Sequence, residues 1–118
     1  MNDLSHRTKK FAIRVIHFVE ALPSGETSRV IGKQLLRAGT SVGANYRAAK
    51  RAKSTAHFIS KMGDVEEECD ECLYWMELAI EAALVKPARL KELMAETNEI
   101  LSIVIASINT AKKRLPEK

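Results

Sequence analysis

The residues of this chain that could do chemistry crowd into one short block. Asp64, Glu66, Glu67, Glu68, Asp70 and Glu71 put carboxylates close together, with Cys69 and Cys72 among them. Such a block suits a di-metal centre or an acid/base pair. A bundle di-metal site, however, draws Glu and Glu-x-x-His from facing helices. No Glu-x-x-His occurs at His6, His17 or His57. Cys69-x-x-Cys72 sits inside a helical pattern, whereas a redox pair wants a helix N-terminus to lower its pKa. A zinc site would need two further ligands, and the chain has only these two cysteines. No Ser/His/Asp set or phosphate-cradling glycine loop is present. The expectation is a protein without metal, cofactor or catalytic residue, hence not an enzyme. Its acids form a solvated or intersubunit face, and its cysteines belong to the core.

A second kind of chemistry, charge recognition, lies between Arg29 and Lys53. At 100° per residue this stretch has three faces. Ile31, Leu35, Ala38, Val42 and Ala49 make an apolar side, with Asn45 and Tyr46 at its edges. Arg29, Lys33, Arg37, Arg47 and Arg51 lie nearly opposite, with Lys50 beside them and no acid interspersed. Ordinary helix faces mix signs, so a stripe of one sign exceeds what solubility asks for. Phosphate is one target. The other is the acidic stretch of a neighbouring subunit, through Glu67, Glu68, Asp70 and Glu71, and the residues leave both open. No aromatic interleaves the stripe except Tyr46, which leans to the core, so base stacking finds no support. Gly32, Gly39 and Gly43 form a third strip suited to close contact. Ser41 and Asn45 share the rim of the apolar face. An unpaired buried amide would cost about 1–3 kcal/mol, so they read as a polar lock holding two helices in register, or as a ligand contact.

Four amphipathic segments must position these groups. Phe11, Val15, Phe18 and Val19 place a first helix at about 7–22, ended by Pro23-Ser24-Gly25. The second runs 26–53, with Ser24 or Thr27 as its N-cap. The third, 55–85, opens at Ser54 and carries Phe58, Met62, Val65, Cys69, Met76, Ile80 and Ala83 on one face. Pro87 suits the first turn of the fourth, 87–113, whose stripe includes Leu90, Leu93, Val104, Ile105 and Ile108. The fold class is all-α, an antiparallel up-down-up-down four-helix bundle in a single domain over 1–118. Trp75 falls about 100° from the centre of the third helix's core face, beside Glu68, Glu71 and Leu78. Aromatics are enriched in interface cores, so this edge is expected to meet another subunit.

Composition agrees with that class. The chain has 118 residues, 46% hydrophobic and 5% aromatic, and a net charge of +4. The charge is segregated: +8 over 1–53, −7 over 54–85 and +3 over 86–118. Basic and acidic surfaces therefore face a partner, another subunit or each other. No signal peptide or membrane span is visible, and cysteine usage points to the cytoplasm.

The run Gln34-Leu35-Leu36-Arg37-Ala38-Gly39-Thr40-Ser41-Val42-Gly43-Ala44-Asn45-Tyr46 resembles the signature of a small bacterial family, the "four helix bundle proteins" or ribosomal RNA intervening-sequence proteins. The pattern there is Gln-x-x-x-Arg-Ala-x-x-Ser-(Val/Ile)-x-x-Asn, and Gln34 stands one residue closer to Arg37 than it asks. Asp64 to Leu78 resembles the second family block, an acidic helix reading Glu-x-x-Asp-Glu-x-x-x-Trp-x-Glu-Leu. Many relatives follow the Asn with Ile-Ala-Glu-Gly; here Tyr46-Arg47-Ala48-Ala49 adds a cation and removes an anion. The resemblance implies a ring-like homo-pentamer without enzymatic activity, similar to the basic accessory protein of diversity-generating retroelements, which engages nucleic acid and a reverse transcriptase. Two surfaces are then expected. Arg29, Lys33, Arg37, Arg47, Lys50 and Arg51 contact RNA or DNA phosphates, with Lys112, Lys113 and Arg114 secondary. Trp75, Leu78, Glu68, Glu71, Gly39 and Gly43 join subunits. The alternative is a protein-interaction scaffold in which the stripe binds a neighbour's acidic helix.

Overall fold

In the computed structural model, which describes residues 4–116, four helices follow one another: α1 Leu4–Glu20, α2 Glu26–Lys50, α3 Thr55–Glu81 and α4 Pro87–Lys112. They pack as an antiparallel up-down-up-down bundle about 53 Å long. Each helix lies against its sequence neighbours, and α1 meets α4 to close the ring, more sparingly than the other pairs.

The buried positions explain why. Along α3 they are Met62, Val65, Cys69, Cys72, Met76 and Ala79; along α4, Leu90, Leu93, Thr97, Ile100, Val104, Ile108 and Ala111. These step by three and four, the spacing of a coiled-coil seam, which is narrower than a general amphipathic face. The narrow seam corrects part of the expected core. Ile105 lies off it and is 39% exposed, while Thr97 lies on it and is fully buried. The Thr97 hydroxyl donates to Leu93 O at 2.7 Å, which makes a polar residue tolerable there. Asn45 also falls on a seam step, three after Val42 and four before Ala49. Its side chain is half-buried, and its Nδ2 donates to Ser41 O at 3.0 Å, one turn back on its own helix. The expected lock between helices is thus a bond within α2. The short Asn side chain finds its own i−4 carbonyl within reach.

The helix ends follow local chemistry. The α2 N-cap is Gly25 at φ 145°, not Ser24 or Thr27, and no side chain caps it. The chain turns from Pro23 into the helix through a conformation open to glycine. Ser54 caps α3, its Oγ accepting from His57 N at 3.0 Å. The helix ends three to four residues earlier than its apolar pattern suggests, in a Schellman turn: Leu84 N donates to Ala79 O and Ala83 N to Ile80 O. Ala83, expected in the core, is the left-handed residue of that turn at φ 62°, and it is exposed. Pro87 stands in the first turn of α4 as expected.

Gly39 and Gly43 are not free for another subunit, because α1 occupies the glycine strip. A Cβ on Gly39 would meet Val15 Cγ1 at 2.8 Å and Cγ2 at 2.9 Å. One on Gly43 would meet Thr8 Oγ1 at 3.2 Å, and one on Gly32 Leu22 Cδ1 at 3.1 Å. Close approach of α1 and α2 is what these glycines provide.

Candidate nucleic-acid interface

Tertiary structure sorts the cationic stripe into paired and unpaired members. All six residues are exposed. Arg29 pairs with Glu26 in its own helix. Arg37 reaches across to α3, with Nη1 3.4 Å from Glu68 Oε1 and Nη2 bonded to Glu71. Trp75 Nε1 donates to the same Glu71 oxygen at 3.2 Å, and the Trp75 ring meets Tyr74 edge-on at 5.0 Å. The pairing expected between subunits is made here inside one chain. The reason is register: antiparallel packing brings Arg37 level with Glu68 and Glu71. Trp75 and Leu78 are half-buried against the chain's own core.

Lys33, Arg47 and Arg51 have no ion-pair partner among the described residues. Lys50 Nζ donates to Ser5 Oγ on α1 at 2.9 Å and stands 6.0 Å from the Tyr46 ring centroid. These bonds leave its charge uncompensated, since neither partner is anionic.

Antiparallel packing then concentrates the unpaired cations. The N-terminal end of α1, the C-terminal end of α2, the N-terminal end of α3 and the C-terminal end of α4 form one end of the bundle. Lys9, Arg47, Lys50, Arg51, Lys53, Lys112, Lys113 and Arg114 lie there. No Asp or Glu occurs in 4–14, 47–63 or 100–116. Lys53 and Arg114, sixty-one residues apart in sequence, line one shallow depression at this end. At the other end charges are mixed, with Glu20, Glu26, Glu77, Glu81 and Glu92 interspersed with Arg29, Lys86, Arg89 and Lys91. Lys9 and Lys53 were not among the expected contact residues; the signal available for them was the acid-free composition around each.

A cleft between α1 and α2 opens on the basic end. It holds about 310 Å³ and is lined by Ser5, Lys9, Thr40, Gly43, Ala44 and Arg47, among others, with no acid in its wall. Apart from Lys9 and Arg47, its wall is made of small residues such as Ser5, Thr40, Gly43 and Ala44.

The remaining chemical candidates are quiet. Burial pushes the Cys69 thiol up to about 12 and the Cys72 thiol higher still, so both stay protonated at neutral pH. No three His, Cys, Asp or Glu among the described residues converge as a metal site. No described helix is long and apolar enough to cross a membrane.

The sequence matches the family profile described as 23S rRNA-intervening sequence protein over residues 2–106. The chain belongs to that family. A crystal structure described as a protein of unknown function from the S23 ribosomal protein family, from Bacteroides thetaiotaomicron, is similar throughout. It is 32% identical, with a TM-score of 0.84, over 90% of this chain and 98% of that one. Comparison with curated proteins finds no match. For the 23S rRNA-intervening sequence family, then, this member combines the shared bundle with a concentrated basic end.

Proposed function

We propose that this protein is a non-enzymatic nucleic-acid-binding bundle whose basic end grips phosphates. The observation that carries the reading is the end itself. Four helix termini bring Arg47, Lys50, Arg51, Lys53, Lys112, Lys113 and Arg114 together without an acid in the contributing segments. Charge of one sign gathered on one surface attracts a polyanion and speeds its encounter. Arg29 and Arg37, paired within the chain, are set aside as contacts; Lys33 is a peripheral one. Contact is to the backbone rather than to bases, because the aromatics at this end, Tyr46 and Phe58, are half-buried against the core rather than presented as a stacking platform. Assembly as a homo-oligomer, the pentamer that the family resemblance implies, would multiply weak contacts through effective concentration.

The test is a titration of the full chain with labelled RNA and DNA at two salt concentrations. Each phosphate neutralised steepens the dependence of log affinity on log salt by about 0.9 for duplex DNA and 0.7 for a single strand. A slope corresponding to several phosphates is expected. Absent or salt-insensitive binding overturns the reading.

A second reading rests on α3. Glu67, Asp70, Glu77 and Glu81 are exposed on its outer side and have no ion-pair partner among the described residues. As a scaffold, the protein would use this acidic side to dock the basic end of a neighbour or a basic partner. Light scattering at low and high salt separates the two: an assembly that dissociates in salt favours the scaffold.

A further inference from the structure

We infer that the cleft between α1 and α2 seats one ribose-phosphate unit of RNA and distinguishes it from DNA through Thr40. The inference rests on the nucleic-acid reading above and adds the polymer type and the residue that senses it. Lys9 from α1 and Arg47 from α2 supply the charge for a phosphate, and neither has an ion-pair partner among the described residues. Lys50, held by its bond to Ser5 Oγ, stands one turn beyond Arg47 along α2 and adds to the field.

Thr40 gives the cleft its second property. Its hydroxyl donates to Leu36 O at 2.8 Å, with Arg37 O also within 3.2 Å. A hydroxyl has a single proton and two lone pairs. With the proton engaged by the helix's own carbonyls, the hydroxyl of Thr40, an exposed residue of the cleft wall, has only acceptor capacity left to offer a ligand. An acceptor in a cleft whose cations take up the phosphate suits a donor on the adjoining sugar. The 2′-hydroxyl of ribose is the donor that RNA has and DNA lacks. Thr40 and Arg47 lie two turns apart, about 10 Å along the axis. Between them on the α2 side of the cleft stand only the small Gly43 and Ala44, so the long side chains of Arg47 and Lys9 can bend over a phosphate while the sugar rests toward Thr40. No stacking is required, which agrees with the absence of aromatics from the cleft wall.

The experiment measures binding of the full chain, by fluorescence anisotropy at fixed salt, to three single strands of one base sequence: RNA, 2′-O-methyl RNA and deoxyuridine-containing DNA. RNA is expected to bind about threefold to tenfold tighter than either of the others, the worth of one ordinary hydrogen bond. The 2′-O-methyl strand keeps the ribose but loses the proton, so it separates donation from sugar shape. Thr40→Val should bring RNA down to the DNA value and leave DNA unchanged, while Thr40→Ser keeps the preference. Arg47→Gln should weaken all three strands and lower the salt slope by about one phosphate's share. Thermal unfolding of each variant confirms that it folds. Equal binding of the three strands by the natural chain, or an RNA preference that survives Thr40→Val, overturns the inference and leaves the phosphate reading standing. Binding to none of them overturns both.

Discussion

At the scale of single residues, identical substitutions should have opposite effects according to what faces them. Gly39→Ala improves helix propensity by about 1 kcal/mol, but its Cβ would stand 2.8–3.0 Å from three carbons of Val15. Overpacking of that kind costs about 1–3 kcal/mol, so a net loss and a lower melting temperature are expected, with recovery in the Gly39→Ala, Val15→Ala double variant. Gly63, inside α3, has nothing within 4 Å of its would-be Cβ. Gly63→Ala should therefore stabilise by about 0.5–1 kcal/mol. Ala83 holds φ 62° in the turn after α3. Ala83→Gly relieves a left-handed conformation that costs an L-residue about 1 kcal/mol, and thermal unfolding should show the gain. Sequence showed that three glycines share one strip of α2. It could not show that α1 rather than a second subunit fills that strip, because both would impose the same spacing.

At the scale of elements, the most sparing contact, α1 against α4, has an ion pair as its clasp. Arg7 Nε and Nη2 hold Glu96 Oε2 and Oε1 at 2.7 and 2.9 Å, and Nη2 also reaches Glu99 at 3.3 Å. The Arg7 bonds hold the Glu96 carboxyl below its ordinary value, and burial opposes them only partly. A carboxyl lowered on folding stabilises fully above its unfolded pKa of about 4.3 and loses that contribution as pH falls through the lower folded value. Glu96→Gln should lower stability by about 1 kcal/mol at neutral pH. Melting curves of the variant and the natural chain should converge in strong acid, where Glu96 is itself uncharged. Helix number, order and approximate limits were legible from apolar spacing and from Ser54 and Pro87. The ends of α3 and the members of the α4 seam were not, because a Schellman turn needs no glycine and a seam of threes and fours can admit Thr97 while excluding Ile105.

At the scale of the whole molecule, charge segregation in sequence becomes polarity in space only through antiparallel packing. Arg51→Glu with Lys113→Glu tests the resulting basic end without touching the cleft. Affinity for both RNA and DNA should fall by an order of magnitude or more at low salt, and the salt slope by about two phosphates' share. Light scattering should show an unchanged assembly. Dissociation of the assembly by this variant would instead favour the scaffold reading.

By itself the sequence determined the four-helix class, the family and the segregation of charge, because apolar spacing, motif and composition are local properties that any compact state must respect. It also showed why chemistry by metal or thiol was a poor expectation, since the needed ligand spacings are missing. Only the tertiary structure decided which cations remain unpaired. Arg37 and Arg47 look equivalent on one helix face, yet the register of α3 gives Glu68 and Glu71 to Arg37 and leaves Arg47 on the rim of a cleft. Register depends on the fit of seams between helices, which no single helix's sequence contains.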